Sequence, residues 1–143
     1  MAEKGSKSRK SVSSSAFSLS GRHNKQFGAS GEQLAAEWLM RNGYRLLARN
    51  WRSPLGELDI VSEQGTELVF VEVKARHGVR LGAPEEAVTP AKQRRLIRAA
   101  ESYLLAHHQE QRPFRIDVIA IDVASSGELL DIRHYPGCIE MEG

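Results

Sequence analysis

Apolar and polar positions alternate along this chain in two rhythms. From about Asn24 to Asn42, Phe27, Leu34, Ala35, Trp38 and Leu39 fall on one stripe at helical spacing, as in an amphipathic helix. Gly43 follows where helix C-termini favour glycine. Ser30 with Gln33 also has capping-box spacing, which leaves the helix start open. Three strand-like runs come next: Tyr44–Trp51, Glu57–Glu63 and Thr66–Lys74, separated by turns at Ser53-Pro54-Leu55-Gly56 and Gln64-Gly65. Residues 75–88 hold Gly78, Gly82 and Pro84 and read as a loop with at most a short helical turn. Thr89-Pro90 opens a second helix, with Thr as N-cap and Pro at the first position. Its apolar stripe is Leu96, Ala99, Ala100, Tyr103 and Leu104, and Lys92, Arg94, Arg95 and Arg98 take other faces. A strand is expected over Phe114–Asp122, a turn at Ser125-Ser126-Gly127, and a short last strand over Glu128–Tyr135.

The predicted order is therefore α-β-β-β-α-β-β. Strands joined by tight turns are antiparallel, whereas a crossover through a helix returns a strand parallel, so the order describes an α/β sandwich around a mixed sheet.

Length and composition narrow the class. The chain has 143 residues, enough for one core with little room for a second. No stretch approaches the roughly 20 apolar residues that span a bilayer, so no membrane association is expected. The N-terminus has charges but no apolar segment of the secretory type. The single cysteine, Cys138, excludes an internal disulfide and a cysteine-rich zinc site. It reads as a small, inert residue in a protein of a reducing compartment, here the cytoplasm.

The net charge of +2 conceals an asymmetry. Residues 1–25 carry six basic groups and one acid, so the remainder is net negative. Eight serines and few large apolar residues in positions 1–20 predict a disordered basic tail over residues 1–22, followed by one folded domain over 23–143. The tail either adds non-specific attraction to phosphate or is a solvated leader with no binding role. It is Ser-rich and acid-poor like a transit peptide but lacks an amphipathic arginine pattern.

The chemistry concentrates on the second and third strand runs. Alternate strand residues share a face, which groups Glu57, Asp59 and Val61 against Leu58 and Ile60, and Phe70, Glu72 and Lys74 against Val71 and Val73. In a compatible hairpin register, Asp59 and Glu72 converge with Lys74 beside them. Two such carboxylates repel unless a positive charge lies between them. A hard divalent cation, Mg²⁺ or Mn²⁺, suits oxygen donors from Asp59, Glu72 and the Val73 carbonyl. Lys74 is then placed to orient or help deprotonate a water and to stabilise charge at a phosphate. A Glu-x-Lys triplet alone is common, and a solvated sheet face with alternating charges is the competing account. The run Leu68–Lys74 is so apolar, however, that it reads as a central strand, where charges line a cleft.

At these residues the sequence resembles the YraN-like family. The resemblance is carried by Gly28-x-x-Gly31-Glu32, Leu39 to Tyr44, Arg49-Asn50-Trp51-Arg52, Gly56-Glu57-Leu58-Asp59-Ile60, Val69 to Lys74, Gly82 to Val88, Lys92 and Arg115-Ile116-Asp117-Val118, over roughly residues 24–122. It implies a restriction-endonuclease-like, Holliday-junction-resolvase-like fold: a three-layer α-β-β-β-α-β core with a mixed central sheet, plus the short C-terminal strand. It places Asp59, Glu72 and Lys74 at the superfamily's Asp…Glu-x-Lys positions and Glu32 at the first-helix acid that joins the metal site. Glu57, Lys92 and Gln93 are implied as supporting residues, although helix-surface charge is the simpler account of the last two. Many relatives have Phe where Ile116 stands, a difference of packing.

Arg41, Arg45, Arg49 and Arg52 flank the candidate cleft in sequence, and Arg76 and Arg80 follow it; such residues suit phosphate contacts. His107 and His108 fit a helix end better than a metal site. Three functions compete: a Mg²⁺-dependent endonuclease on DNA, including branched or structured DNA; a nucleic-acid-binding module with weak or lost cleavage; and a non-catalytic interaction protein. Junction-cleaving relatives commonly pair two sites by symmetry, so the resemblance admits a homodimer beside a monomer.

Overall fold

The computed structural model describes residues 12–13, 27–77 and 88–140. Residues 24–26 of the expected helix lie outside the described residues, and the first helix described, α1, spans Phe27–Arg41. It runs through Ser30, so no capping box starts there, and Gln33 instead donates a side-chain hydrogen bond to Glu37. Asn42 and Gly43 close it; Gly43 takes φ 89°, a left-handed value suited to glycine.

Three antiparallel strands follow: β2 (Arg45–Ser53), β3 (Gly56–Gln64) and β4 (Glu67–His77). At the β3–β4 turn Gly65 adopts φ 62°, which the first position of a two-residue hairpin loop requires. The second helix, α2 (Pro90–Ala106), starts as its sequence dictates. Thr89 caps it by accepting from the Lys92 N–H at 3.2 Å, and Pro90 follows. The chain then returns as β5 (Phe114–Val123), parallel to β4, and ends in β6 (Leu129–Ile139), antiparallel to β5. β6 is longer than expected because it continues past Pro136 through Gly137, which has φ 61°. Within the segment read as a tail, Val12–Ser13 forms a short strand, β1, against His134 and Arg133 of β6. The rest of that tail, and residues 78–87 of the expected loop, lie outside the described residues.

The sheet order is β1-β6-β5-β4-β3-β2. β4 is therefore central, as its apolar run predicted, and β5 lies beside it. One face packs on α1 through Leu34, Ala35, Trp38 and Leu39 against Ile60, Val69, Val71, Ile119 and Ile121. The other packs on α2 through Leu96, Ala99, Ala100 and Tyr103 against Leu68, Phe70, Ile116 and Val118. The result is the three-layer α/β architecture expected from the sequence. Each large side chain so buried contributes about 1.5–3 kcal/mol. Cys138 belongs to the α2-side core.

Candidate metal and phosphate site

β3 does not alternate strictly. Leu58 packs on the α2 side but Ile60 on the α1 side, which corrects the expectation that they share a face. The break lies at Asp59. On the neighbouring strand Asn50, between the pairs Arg49–Ile60 and Trp51–Leu58, takes φ 54°. A left-handed residue there turns the hairpin. β3 is in ladder register with β4 from Gln64–Glu67 to Ile60–Val71. Beyond that pair a side chain takes over: Asp59 Oδ2 accepts from the Val73 N–H at 2.9 Å.

This notch brings Asp59 to Glu72. Glu72 is 5% exposed and feels the charge of the neighbouring Asp59 carboxylate. Burial and the repulsion of Asp59 push its carboxyl up to about 7, while Lys92 and Lys74 pull it down. Lys92 Nζ lies 3.5 Å from Glu72 Oε2. Thr89 and Pro90 set the first turn of α2, and that turn aims Lys92 at the sheet. Helix-surface charge is therefore not the role of Lys92.

The other predicted residues are distributed differently. Glu32 lies 3.9 Å from Arg49 Nη2, and Arg49 Nη1 donates to Gln33 at 3.1 Å. Glu57 and Arg52 form an exposed pair at 3.1 Å, a surface arrangement worth little energetically. Gln93 donates to the Val88 carbonyl at 2.8 Å and so braces the entry to α2. Arg45 pairs with Glu63. Arg76 turns inward toward Asp122 at 3.9 Å. Arg80 lies outside the described residues. His107 caps the end of α2, with Nδ1 2.9 Å from the Tyr103 carbonyl. Asp59, Glu72, Val73, Lys74 and Lys92 thus come together, whereas Glu32 and Arg49 form a separate pair.

The donor set suits a hard cation. Asp59 and Glu72 present carboxylate oxygens whose mutual repulsion a divalent ion relieves, and Mg²⁺ retains several waters of its own. Among the described residues, no group of three or more His, Cys, Asp and Glu side chains is arranged to hold a metal. The fit therefore rests on two carboxylates with the Val73 carbonyl.

Two buried polar clusters escaped the sequence reading. Asp117 is fully buried and accepts from Arg115 Nε at 3.0 Å, the Gly137 N–H at 2.8 Å and His134 Nε2 at 2.7 Å. Trp38 Nε1 donates to His134 Nδ1 at 3.4 Å, and Arg115 also holds Tyr44 and Glu67. Burial alone lowers the Arg115 pKa, but Asp117, Tyr44 and Glu67 outweigh it and keep the guanidinium charged. The second cluster, around Asp122, includes Arg133. Their only sequence signal is a pair of acids inside an apolar strand, Arg115-Ile116-Asp117-Val118-Ile119-Ala120-Ile121-Asp122.

The profile described as "Uncharacterised protein family UPF0102" matches residues 31–121. The chain belongs to the UPF0102 family. This is the YraN-like family whose motifs the sequence carries. A UPF0102 protein of Symbiobacterium thermophilum is 49% identical over 106 residues, covering 74% of this chain and 90% of its relative. One from Syntrophotalea carbinolica is 45% identical over 113 residues, 79% and 90% of the two chains. Among solved structures, SfsA of Pyrococcus furiosus in complex with Ca²⁺ aligns with TM-score 0.37 and 16% identity over 75% of this chain and 62% of SfsA. That likeness is too distant to carry an argument. The family profile spans Glu32, Asp59, Glu72, Lys74 and Lys92 alike. No helix among the described residues is long and apolar enough to cross a membrane.

Proposed function

We propose that this UPF0102 protein is a divalent-cation-dependent endonuclease that hydrolyses phosphodiester bonds in nucleic acid, with DNA, including branched or structured DNA, as the first substrate class. One observation carries the reading: a buried Glu72 held against Asp59 and flanked by Lys92 and Lys74. A purely structural carboxylate pair gains nothing from such repulsion, whereas a cation site requires it.

Asp59 and Glu72, with the Val73 carbonyl, are the groups to hold Mg²⁺ or Mn²⁺. When bound, the cation supplies Lewis acidity toward the phosphodiester. The Val73 N–H fixes one oxygen of Asp59 and so sets the orientation of that carboxylate. Lys92 neutralises Glu72 in the absence of other cations. Lys74 is the next residue on the Glu72 face of β4 and donates to a phosphate oxygen or to the attacking water. A chain with a single cysteine suits the reducing cytoplasm.

The test is cleavage of plasmid, single-stranded and four-way-junction DNA with Mg²⁺, Mn²⁺ or chelator. Metal-dependent cutting that disappears in Asp59→Asn and Glu72→Gln supports the proposal. Cutting that survives either substitution rejects this site. Salt-sensitive binding without cutting supports a nucleic-acid-binding module instead.

A further inference from the structure

Among the described residues, three buried side-chain polar atoms lack a hydrogen-bond partner: Arg76 Nε, Asp122 Oδ1 and Arg133 Nε. All three belong to one cluster. Arg133 Nη2 holds Asp122 Oδ2 at 2.5 Å, while Arg76 Nε stands 3.9 Å from Asp122 Oδ1, beyond hydrogen-bonding range. Arg133 Nε lies 3.4 Å from Asp131 Oδ2 without completing a hydrogen bond. Native interiors pair nearly all such atoms, so a group of orphans points to a missing partner.

Register fixes where the cluster sits. Glu72 is in line with Val118 and Tyr135, Lys74 with Ala120 and Arg133, and Arg76 with Asp122 and Asp131. Residues directly opposite one another on neighbouring strands share a sheet face. Lys74, Arg76 and Arg133 therefore stand on the α2 side, in the two rows beyond Glu72. α2 meets this face with Lys92 at Glu72, and its apolar stripe packs on Phe70 and Leu68, away from those rows. Among the described residues, three cations stand in these rows with two carboxylates, Asp122 and Asp131. Guanidinium N–H groups oriented by a buried carboxylate match the oxygens of a phosphate.

We propose that Lys74, Arg76 and Arg133 form a phosphate subsite that holds the phosphodiester next to the one facing Asp59 and Glu72. Residues two apart on a strand are separated by about 6.6 Å, so Lys74 serves the scissile phosphate, while Arg76, and Arg133 whose guanidinium reaches across to Asp122 in the row of Arg76, serve its neighbour. The anion site stands on this geometry alone; its assignment to a nucleic-acid strand rests on the function proposed above.

Two measurements on the full chain test this. In the first, ¹⁵N-labelled protein is titrated with inorganic pyrophosphate while the arginine Nε–H resonances are followed, with Arg76→Lys and Arg133→Lys providing assignments. Movement of the Arg76 and Arg133 signals is expected; two unmoved signals overturn the subsite. In the second, binding of a labelled single-stranded oligonucleotide is measured against salt, with chelator present. The double variant Arg133→Gln/Asp122→Asn removes the cation together with the buried carboxylate it neutralises, leaving net charge unchanged, and Arg98→Gln/Glu101→Gln supplies the same paired loss on exposed α2. The double variant is expected to bind about ten-fold more weakly, with a salt slope reduced by about one. If pyrophosphate moves the signals but the double variant binds the strand like the wild type, a free-phosphate site is established and the nucleic-acid assignment is rejected. If the wild type binds no strand at all, the proposed function fails while the pyrophosphate result still decides the subsite. If the double variant does not fold, as read by circular dichroism, the pyrophosphate titration of the wild type decides alone.

Discussion

Asp59 Oδ2 accepts the backbone N–H of Val73, the residue that follows Glu72 on the neighbouring strand, at 2.9 Å. One carboxylate thereby replaces a rung of the sheet ladder and is held against the other. This double role separates two substitutions. Asp59→Asn keeps an acceptor for Val73 and removes the charge. Its stability in urea should change little, and the Glu72 carboxyl should titrate lower, as followed by ¹³C NMR. Asp59→Ala also leaves the Val73 N–H unpaired and should lose about 1–3 kcal/mol.

Stability should depend on pH through Glu72. Its carboxyl is raised in the folded state to about 7 from 4.5, so between those values the folded chain binds more protons than the unfolded one. The resulting stabilisation is complete below the unfolded pKa and is lost as pH rises through about 7. Metal-free protein should thus be less stable at pH 8 than at pH 5 by on the order of 1–3 kcal/mol. Glu72→Gln should flatten that part of the curve in thermal scans. A slope that is unchanged in the variant would assign the effect elsewhere.

Lys92 opposes the same shift from 3.5 Å. In Lys92→Met the Glu72 carboxyl should titrate higher than in the wild type, whereas Lys92→Arg should preserve its midpoint. Carboxyl ¹³C titrations of the three proteins measure the difference directly.

The fold was legible where local chemistry dominates. Thr89-Pro90 marks the start of α2, Gly65 the β3–β4 turn, and the apolar Leu68–Lys74 run a central strand. The site was partly legible for the same reason, since Glu72 and Lys74 lie two apart on one strand. Strict alternation failed at Asp59 because a left-handed Asn50 on the neighbouring strand turns the hairpin, and nothing in the β3 sequence announces that. Lys92 read as surface charge because the aim of a helix turn depends on how the helix docks. Asp117 and His134 meet only when β5 and β6 pair, so their network has no local signature.

Gly56 should resist substitution. It has φ 149°, and an added Cβ would lie 3.3 Å from both the Ala99 Cβ and the Arg95 carbonyl oxygen. Gly56→Ala should lose about 1–3 kcal/mol in urea unfolding through backbone strain and crowding.

The Asp117 network should be costlier to break. Asp117→Ala strands the charged Arg115 and the buried His134 together, with an expected loss of about 3–5 kcal/mol. Equilibrium denaturation measures it, and a loss under 1 kcal/mol would mean that the surroundings rehydrate both groups.

The two-residue loop at Gly65-Thr66 also bears on the order of assembly. β3 and β4 form a local hairpin, an element that closes in about 1–10 µs. Its parallel partner β5 arrives only after the whole α2 crossover has been ordered, a slower step of higher contact order. Asp59 and Glu72 can therefore meet early in folding, on a ribbon still open to solvent. Lys92 reaches them later, when α2 docks. The carboxylate pair is most strained once the sheet is complete, and a divalent ion that binds it at that stage would slow unfolding more than it speeds folding.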